Sequence, residues 1–265
     1  MEHPECTLAG RLARIAIYPV KSLDPLLVPE ANLLPAAGLE HDRRFAIQDA
    51  QGCVVNGKRT ERVQLIRSRF EVDAGRLSLE APDMPQQTFS LPADRPAAQA
   101  WLSRYLGFEV QLAEDARRGF PDDTSAPGPT VVSTATLLEV ARWFDLTLEE
   151  VRLRFRANLE IEGVPAFWED CLYGPAGTAV RFRVGEVLLE GTNPCQRCVV
   201  PSRSPLEARP TPAFSRRFAE MRAATLPPWA PRDRFGHYYR LAVNTRLVSA
   251  GALRVRVGDL VRRDG

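Results

Sequence analysis

The sequence contains very little lysine: its 35 basic side chains are 33 arginines and only two lysines, Lys21 and Lys58. An excess of arginine is typical of a GC-rich genome, but it does not explain why two lysines remain. With 33 acidic side chains, the formal net charge is only +2 over 265 residues. A chain so close to neutral lacks the broad positive surface of proteins that bind nucleic acids or anionic membranes. We therefore expect neither partner.

Long apolar segments are also missing. No run of about 18 apolar residues occurs, which argues against a membrane-spanning helix. The first ten residues have neither the basic segment nor the apolar segment of a secretory signal. We expect a cytoplasmic protein, in which the cysteines form no disulfide framework and act, if at all, as thiols or metal ligands. The five cysteines are Cys6, Cys53, Cys171, Cys195 and Cys198.

Several common catalytic motifs are absent. The sequence has no Ser-His-Asp order, no P-loop and no glycine fingerprint of a dinucleotide-binding fold, and only three histidines. What remains is 45% hydrophobic and 26% charged, which is ordinary for a globular protein. The 22 prolines and 17 glycines separate short segments in which apolar and polar residues alternate, a pattern typical of half-buried strands. The fold class predicted is therefore α+β and rich in β-structure.

Local patterns predict a two-part chain. Strands are expected at 12–20 and 159–161, hairpins at 45–56 and 70–79, and further strands at 180–184, 187–189 and 253–260. Helices are expected at 95–106, where Gly107 is a good C-cap, and at 134–144 and 148–154, the last beginning with a capping box at Thr147. A Pro- and Gly-rich stretch at 117–129 indicates a junction between domains at 7–116 and 130–263. A Pro- and Arg-rich loop or lid at 201–231 should contain one short helix near 213–223.

The most distinctive local motif is the C-x-x-C pair formed by Cys195 and Cys198. Such a pair can be half of a zinc site, a thioredoxin-like redox pair, a thiolate ligand of a softer metal, or two small packed side chains. No other cysteines or histidines are paired at ligand spacing, which weakens the zinc interpretation. Pro201 follows closely and argues against the helix that a thioredoxin-like motif opens. Arg197 lies between the cysteines, and a neighbouring guanidinium favours the thiolate that metal binding requires.

A second set of residues could hold an anion. Lys21 and Ser22 follow a strand and could bind a phosphate by charge and by a hydroxyl hydrogen bond. Arg43 could be a second arm of the same site or part of a surface ion-pair cluster with Asp42. Arg156 and Asn158 would share one face if they already belong to a strand. From the residues alone, the sequence supports a β-rich protein with a candidate anion site and a thiolate loop.

Together these segments resemble the MOSC family, named for the C-terminal domain of molybdenum cofactor sulfurase, in its two-part form with an N-terminal MOSC β-barrel domain. The resemblance covers nearly the whole chain and implies an N-terminal β-barrel-like domain, a MOSC β-barrel domain and a few peripheral helices. The segments that carry it, in chain order, are residues 17–22, 38–45, 133–137, 154–159, 167–170, 195–198, 235–239 and 257–259. Ala157 stands where the family usually has proline.

The resemblance also implies roles for individual residues. In the mitochondrial amidoxime reducing component, a family member that reduces N-hydroxylated compounds, the positions matching Lys21, Ser22 and Arg43 hold the phosphate of molybdopterin. Cys198 matches the thiolate that ligates molybdenum and is the predicted catalytic residue. The remaining predicted cofactor-binding residues are Asp123, Thr124, Ser125, Arg156, Asn158, Gln196 and Arg197.

The function implied is that of a molybdenum-cofactor-binding oxidoreductase, which reduces small N-hydroxylated compounds with electrons from a separate flavin or iron–sulfur protein. This chain carries no cysteine cluster like the C-terminal ferredoxin domain of some relatives. A non-redox role stays open, in which the protein handles the cofactor or carries sulfur as a persulfide on Cys195 or Cys198. A zinc-stabilised binding module is a third hypothesis, and it depends on the cysteines alone.

Overall fold

A computed structural model describes residues 3–35, 37–248 and 253–264. Its fifteen strands are β1 Gly10–Ile17, β2 Leu26–Val28, β3 Glu30–Asn32, β4 Phe45–Asp49, β5 Arg67–Glu71, β6 Arg76–Ala81, β7 Met84–Ser90, β8 Val110–Glu114, β9 Val131–Ser133, β10 Leu159–Glu162, β11 Val180–Val184, β12 Val187–Gln196, β13 Arg240–Leu247, β14 Arg254–Arg256 and β15 Leu260–Arg263. Within the described ranges the α-helices are α1 Arg95–Leu106, α2 Thr134–Phe144, α3 Leu148–Phe155 and α4 Phe214–Ala224.

Seven strands form a closed barrel in the order β10, β9, β13, β12, β11, β15 and β1, and pairing of β1 with β10 closes it. All neighbours are antiparallel except β9 and β10, which are parallel. One edge of β1 pairs with β10. Its opposite edge pairs with β15 at residues 10–11 and with β2 at residues 15–17. Closure removes the exposed edges that an open sheet would leave unpaired. Buried aliphatic and aromatic residues, including Leu12, Phe182, Leu189 and Val243, fill the interior.

The residues between β3 and β9 build a separate core. Strand β4 pairs with β8, while β5, β6 and β7 form a three-stranded sheet. Helix α1 packs Trp101 and Leu102 against this group, which also buries Phe45 and Leu77. The helix ends at Gly107, whose φ of 85° is the left-handed conformation that glycine adopts without strain. The predicted helix at 95–106 is therefore confirmed at both ends.

The remaining helices lie on one side of the barrel. The Ser133 and Thr147 side chains accept hydrogen bonds from the backbone N–H groups of Thr136 and Glu150, and so begin α2 and α3. Helices α2, α3 and α4 share a third apolar core that contains Trp143, Phe155, Phe214 and Phe218. The helices predicted at 134–144, 148–154 and 213–223 are confirmed, with differences of one residue at most. The α+β class with barrel domains and peripheral helices is also confirmed.

Two expectations need correction. The predicted hairpin at 45–56 keeps its turn, but its return strand is reduced to one bridge between Gln48 and Val54, while the other edge of β4 pairs along its length with β8. Cys6 and Cys171, expected to be free thiols, are joined in a disulfide with Cα atoms 5.5 Å apart. The Trp168 indole N–H donates to the Glu5 carbonyl at 3.1 Å and holds the same N-terminal segment against the barrel.

The position of β1 bears on the domain organisation. Although β1 comes from the start of the chain, it lies between strands from the C-terminal half and completes their barrel. The boundaries at 7–116 and 130–263 stay a prediction. None of the helices in the described ranges is both long and apolar enough to cross a membrane.

Candidate functional site

A cavity of about 610 Å³ lies beside the end of β1, the end of α3 and the end of β12. Its fourth side is formed by the linking segment, residues 115–130, which joins β8 to β9. Ten of the eleven predicted site residues line it, and Ser125 alone does not. Clefts of this size, between structural units, are common ligand sites. The residues selected from the sequence thus come together in space, although they are spread over 178 positions from Lys21 to Cys198.

The cavity concentrates positive charge. Among the described residues that line it are nine cationic side chains and four carboxylates, an excess of five in a chain whose total is +2. Both lysines of the chain are included, so Lys58 lies in the same cavity as Lys21. Three of the four carboxylates pair with cavity cations, as Asp122 with Lys21, Asp42 with Arg43, and Asp24 with Arg67. The near-neutral total charge therefore conceals a local site suited to an anionic ligand.

Lys21 occupies the turn after β1. Its backbone N–H donates to the Phe45 carbonyl at 2.8 Å, which fixes the turn beside β4. Its ammonium donates to the carbonyls of Phe120 and Pro121 at 2.8 and 3.2 Å, and lies 2.9 Å from an oxygen of Asp122. The next residue, Ser22, has a φ of 75°, which is strained for a residue with a side chain. Such strain persists where surrounding contacts fix the backbone, as they do on both sides of this turn.

Asp122 is a carboxylate that the sequence reading did not select. Desolvation raises its pKa, but the charges of Arg43, Lys21 and Lys58 outweigh this effect and lower the pKa to about 2. The side chain is 65% exposed and stays ionised over the pH range in which proteins fold. Its position between Pro121 and Asp123 in a polar loop gave no pattern from which this contact could be predicted.

The aromatic ring of Tyr18 contacts two guanidinium groups. The Cζ atom of Arg156 lies 4.1 Å from the ring centroid, and that of Arg43 lies 5.5 Å from it. Arg156 also donates to the Leu23 carbonyl at 2.6 Å, and Arg43 forms an ion pair with Asp42. Burial lowers the pKa of Arg156, whereas for Arg43 the effect of burial is outweighed by Asp42 and other negative groups, so its pKa is raised. Arginine remains charged in both environments.

Arg156 does not belong to a strand, so the condition under which it would share a strand face with Asn158 is not met. Arg156 is the C-cap of α3 and has a φ of 54°, and β10 begins only at Leu159. Arg156 and Asn158 both line the cavity, but a left-handed turn after the helix brings them there rather than strand alternation. The Asn158 amide is engaged on both sides, accepting from the Thr130 N–H at 3.1 Å and donating to the Ala16 carbonyl at 3.0 Å. Asn158 therefore ties β1 to the linking segment.

The linking segment is organised by Asp123. One carboxylate oxygen accepts from the N–H groups of Ser125 and Ala126 at 2.9 and 3.1 Å, and the other accepts from the Asn244 side chain at 3.1 Å. The first pair of bonds forms an Asx-type turn, and the last joins the loop to β13. Thr124 lines the cavity, whereas Ser125 is exposed outside its lining.

The cysteine loop begins where β12 ends, at Gln196, which is exposed at the cavity wall. Arg197 donates to the Cys195 sulfur at 3.1 Å and also to the Phe155 carbonyl. Cys198 accepts instead from the backbone N–H of Val200 at 3.4 Å. The guanidinium therefore contacts the first cysteine, and a backbone donor contacts the second. Both cysteines are free thiols and both line the cavity.

Further residues of the cavity were missed by the sequence reading. Arg240 donates to the Pro194 carbonyl at 3.1 Å, and Arg118 is exposed at the cavity wall. These arginines are two among 33, so their type alone carried no information. Over residues 3–35, 37–248 and 253–264, no group of three or more His, Cys, Asp or Glu side chains is arranged to hold a metal. The zinc interpretation therefore finds no complete ligand set in the described residues.

Comparison with known families gives two matches. Residues 9–150 match the family model of the MOSC N-terminal beta barrel domain, and residues 130–262 match that of the MOSC domain. The chain is 31% identical over 226 residues to molybdenum cofactor sulfurase of Drosophila grimshawi, and 29% identical over 222 residues to that of Drosophila mojavensis. Each of these matches covers 72% of this chain and 28% of the relative. The chain thus spans just over a quarter of the length of these relatives.

Two solved structures resemble this fold distantly. The crystal structure of a hypothetical protein covers 97% of this chain and 69% of that chain, with 12% identity and a TM-score of 0.45. The YUAD protein from Bacillus subtilis covers 96% of this chain and 94% of that chain, with 12% identity and a TM-score of 0.40. Neither likeness is close enough to inform function.

Proposed function

This chain belongs to the MOSC family, and we propose that its cavity binds the molybdopterin form of the molybdenum cofactor and serves an oxidoreductase reaction. The observation that carries the proposal is that one cavity is lined both by cationic side chains suited to a phosphate and by a free thiol, although these residues lie on separate elements. Relatives that match 72% of this chain are named molybdenum cofactor sulfurases, and this name relates them to the molybdenum cofactor.

The chemistry of the lining fits such a ligand. A phosphate dianion requires several positive donors, and the cavity has an excess of five positive charges. The guanidinium groups of Arg156, Arg197 and Arg240 are bonded to carbonyl oxygens or sulfur rather than to carboxylates, so their charge is available to an anion. The volume of about 610 Å³ is within the range of small-molecule and cofactor sites.

The phosphate would be held by Lys21, Ser22 and Arg43. Lys21 and Ser22 lie on the turn after β1, and Arg43 reaches the same wall from the residues before β4. A compact ammonium contributes charge, a hydroxyl contributes a hydrogen bond, and a planar guanidinium contributes paired donors. The pterin would contact the cavity residues Asp123, Thr124, Arg156, Asn158, Gln196 and Arg197.

The metal ligand would be Cys198. Its sulfur accepts a backbone N–H bond from Val200, and further lone pairs on the sulfur could bind a metal. Soft thiolate ligands suit molybdenum that is also bound by dithiolene sulfurs. When bound, the cofactor would supply a two-electron redox centre, while the protein binds it and positions it.

The reaction we propose is reduction of a small N-hydroxylated compound. Conversion of N–OH to N–H consumes two electrons and two protons and releases water. A separate flavin or iron–sulfur protein would supply the electrons. The cationic wall formed by Arg118, Arg240 and Lys58 would attract an anionic or electron-rich substrate.

A second function is favoured by one specific contact. Arg197 donates to the Cys195 sulfur at 3.1 Å, which places a positive group against the first cysteine. A thiolate that accepts sulfane sulfur from a donor persulfide becomes a persulfide, and the donor leaves as a thiolate. Under this alternative the protein would handle the cofactor or carry sulfur, without reducing a substrate.

One pair of measurements separates the two functions. Reduction of a benzamidoxime-type substrate by a chemically reduced dye should be lost in Cys198→Ser and kept in Cys195→Ser if the protein is a reductase. Mass spectrometry should find an added sulfur atom on Cys195 or Cys198, without reductase activity, if it is a sulfur carrier. Full reductase activity in Cys198→Ser would overturn the proposed role of that thiolate.

A further inference from the structure

Lys21 already uses all of its hydrogen-bonding capacity. An ammonium group has three N–H donors, and the three acceptors of Lys21 are the Phe120 carbonyl, the Pro121 carbonyl and Asp122, at 2.8, 3.2 and 2.9 Å. Lys21 is also buried, with only 8% of the residue exposed. A phosphate can therefore bond to this ammonium only if it replaces one of the three acceptors.

Two of these acceptors are fixed. The backbone carrying the Phe120 and Pro121 carbonyls is held by the Phe120 N–H, which donates to the Arg43 carbonyl at 2.9 Å. At Gly119 the chain passes so close that an added Cβ would lie 2.9 Å from the Asp42 carbonyl oxygen and 3.1 Å from that of Arg43. The Gly119 φ of 61° again requires glycine. This backbone cannot withdraw from Lys21 without breaking the contacts of the whole turn.

The third acceptor can leave. The Asp122 side chain is 65% exposed, and rotation of its side-chain bonds alone would move the carboxylate away from Lys21. The next residue, Asp123, is anchored independently, because its carboxylate accepts hydrogen bonds from the backbone N–H groups of Ser125 and Ala126 and from the Asn244 side chain. The loop therefore stays in place when the Asp122 carboxylate moves.

We propose that Asp122 is a displaceable carboxylate that occupies Lys21 until a phosphate group takes its place. This inference rests on the proposed function, because the phosphate in question is that of the cofactor. A monoanion carries the same charge as the carboxylate and gains little by the exchange. A phosphate dianion brings a second charge, which interacts with Arg43 and the other cavity cations.

Protonation cannot release Asp122 under ordinary conditions. Desolvation raises its pKa, but the nearby positive charges of Arg43, Lys21 and Lys58 hold the pKa at about 2. The carboxylate is thus ionised at any pH at which the protein is handled, and a competing anion must displace it. Binding of phosphate should accordingly weaken at high ionic strength without showing an acid titration of Asp122.

The test is a calorimetric titration of the full chain with inorganic phosphate, at a pH of about 8, using protein made in cells that produce no molybdopterin. Asp122→Asn should bind phosphate about tenfold more tightly than the natural protein, because the competing charge is gone. Nitrate, a monoanion, should bind more weakly than phosphate to both proteins, because it brings only one charge to the cavity cations. Asp115→Asn is the matched control, since it removes one negative charge from the same linking segment. The asparagine oxygen can still accept hydrogen bonds from the backbone N–H groups of Arg117 and Arg118.

A double variant shows whether Asp122 acts through Lys21. In a Lys21→Ala background, the gain from Asp122→Asn should disappear. A gain that persists there, or equal phosphate affinity in the natural protein, Asp122→Asn and Asp115→Asn, would overturn the role of Asp122. The proposed function would fail separately, by the absence of molybdenum from protein made in cofactor-producing cells.

Discussion

The guanidinium carbon of Arg156 lies 4.1 Å from the centroid of the Tyr18 ring. Tyr18 is buried, and burial raises the pKa of its phenol despite the opposing charges of Arg156 and Arg43, so the ring is neutral. Arg43 also contacts this ring, so Tyr18 contacts two of the guanidinium groups that line the cavity. A neutral aromatic surface thus organises the positive wall of the site.

Replacing Tyr18 should disturb both arginines at once. Tyr18→Leu removes the ring on which they pack, and we expect phosphate affinity to fall roughly tenfold, as for loss of a partly buried cation–π contact. Tyr18→Phe keeps the ring and loses only a long hydroxyl contact of 3.4 Å to the Ala157 carbonyl, so it should bind as the natural protein does. Calorimetry with inorganic phosphate checks both variants. Unchanged affinity in Tyr18→Leu would contradict the role of the ring.

Lys21→Arg should weaken cofactor retention although it conserves charge. A planar guanidinium is longer than an ammonium and cannot meet acceptors at 2.8, 2.9 and 3.2 Å in the same narrow space. We expect the fraction of cofactor that survives gel filtration to fall by about tenfold. Lys58→Arg is the matched control, because Lys58 is the other lysine of the cavity and is exposed. Equal retention in the two variants would show that Lys21 needs only a positive charge.

Glu169 should make the stability of the protein depend on pH. Burial, followed by the nearby charge of Asp170, raises the pKa of Glu169 from 4.5 to about 7. The folded state therefore binds a proton that the unfolded state has lost between these values, and the free energy of unfolding falls as pH rises through this range. The decrease should be roughly 3 kcal/mol between pH 4.5 and 8.

The variant Glu169→Gln tests this origin of the pH dependence. Glu169 accepts from the Thr136 hydroxyl at 3.0 Å and from the Ser133 N–H at 3.3 Å, and a glutamine oxygen can accept both bonds. Denaturant unfolding at several pH values should give a flatter profile for this variant. A variant profile as steep as that of the natural protein would place the titrating group elsewhere.

The disulfide between Cys6 and Cys171 should contribute to stability without affecting the cavity. It spans 165 residues, and the loop-entropy model gives about 5 kcal/mol of added free energy of unfolding for a loop of that length, through the entropy of the unfolded chain. Cys171→Ser should lower that free energy, whereas Cys53→Ser changes an exposed free thiol and should not. Neither cysteine of the bond lines the cavity, so binding of phosphate should persist in Cys171→Ser. Loss of binding would show that the bond also shapes the site.

Features set by neighbouring residues could be read from the sequence. The end of α1 at Gly107 and the start of α3 at Thr147 depend on one capping residue each, and both were predicted. The set of cavity residues was obtained through the family resemblance, because Lys21, Arg43 and Cys198 carry no common motif that joins them.

Features that depend on distant pairing could not be read in this way. The closure of the barrel joins β1 to β10, some 150 residues later, and the Cys6–Cys171 bond is equally remote in sequence. The sequence left open whether Arg156 lies on a strand face, and the left-handed turn after α3 decides its direction. The ion pair of Asp122 with Lys21 depends on how the linking segment crosses the turn after β1, which no local pattern specifies.

We propose that Cys198, which lines a cavity together with nine cationic side chains, ligates the metal of a bound molybdenum cofactor. The most direct measurement is the molybdenum content of the natural protein, Cys198→Ser and Cys195→Ser, each purified from cells that make the cofactor. We predict about one molybdenum per chain in the natural protein and in Cys195→Ser, and little in Cys198→Ser, because a serine hydroxyl is a poor substitute for a soft thiolate. Equal molybdenum content in all three proteins would contradict the role of Cys198 as the metal ligand, and no molybdenum in the natural protein would contradict binding of the cofactor itself.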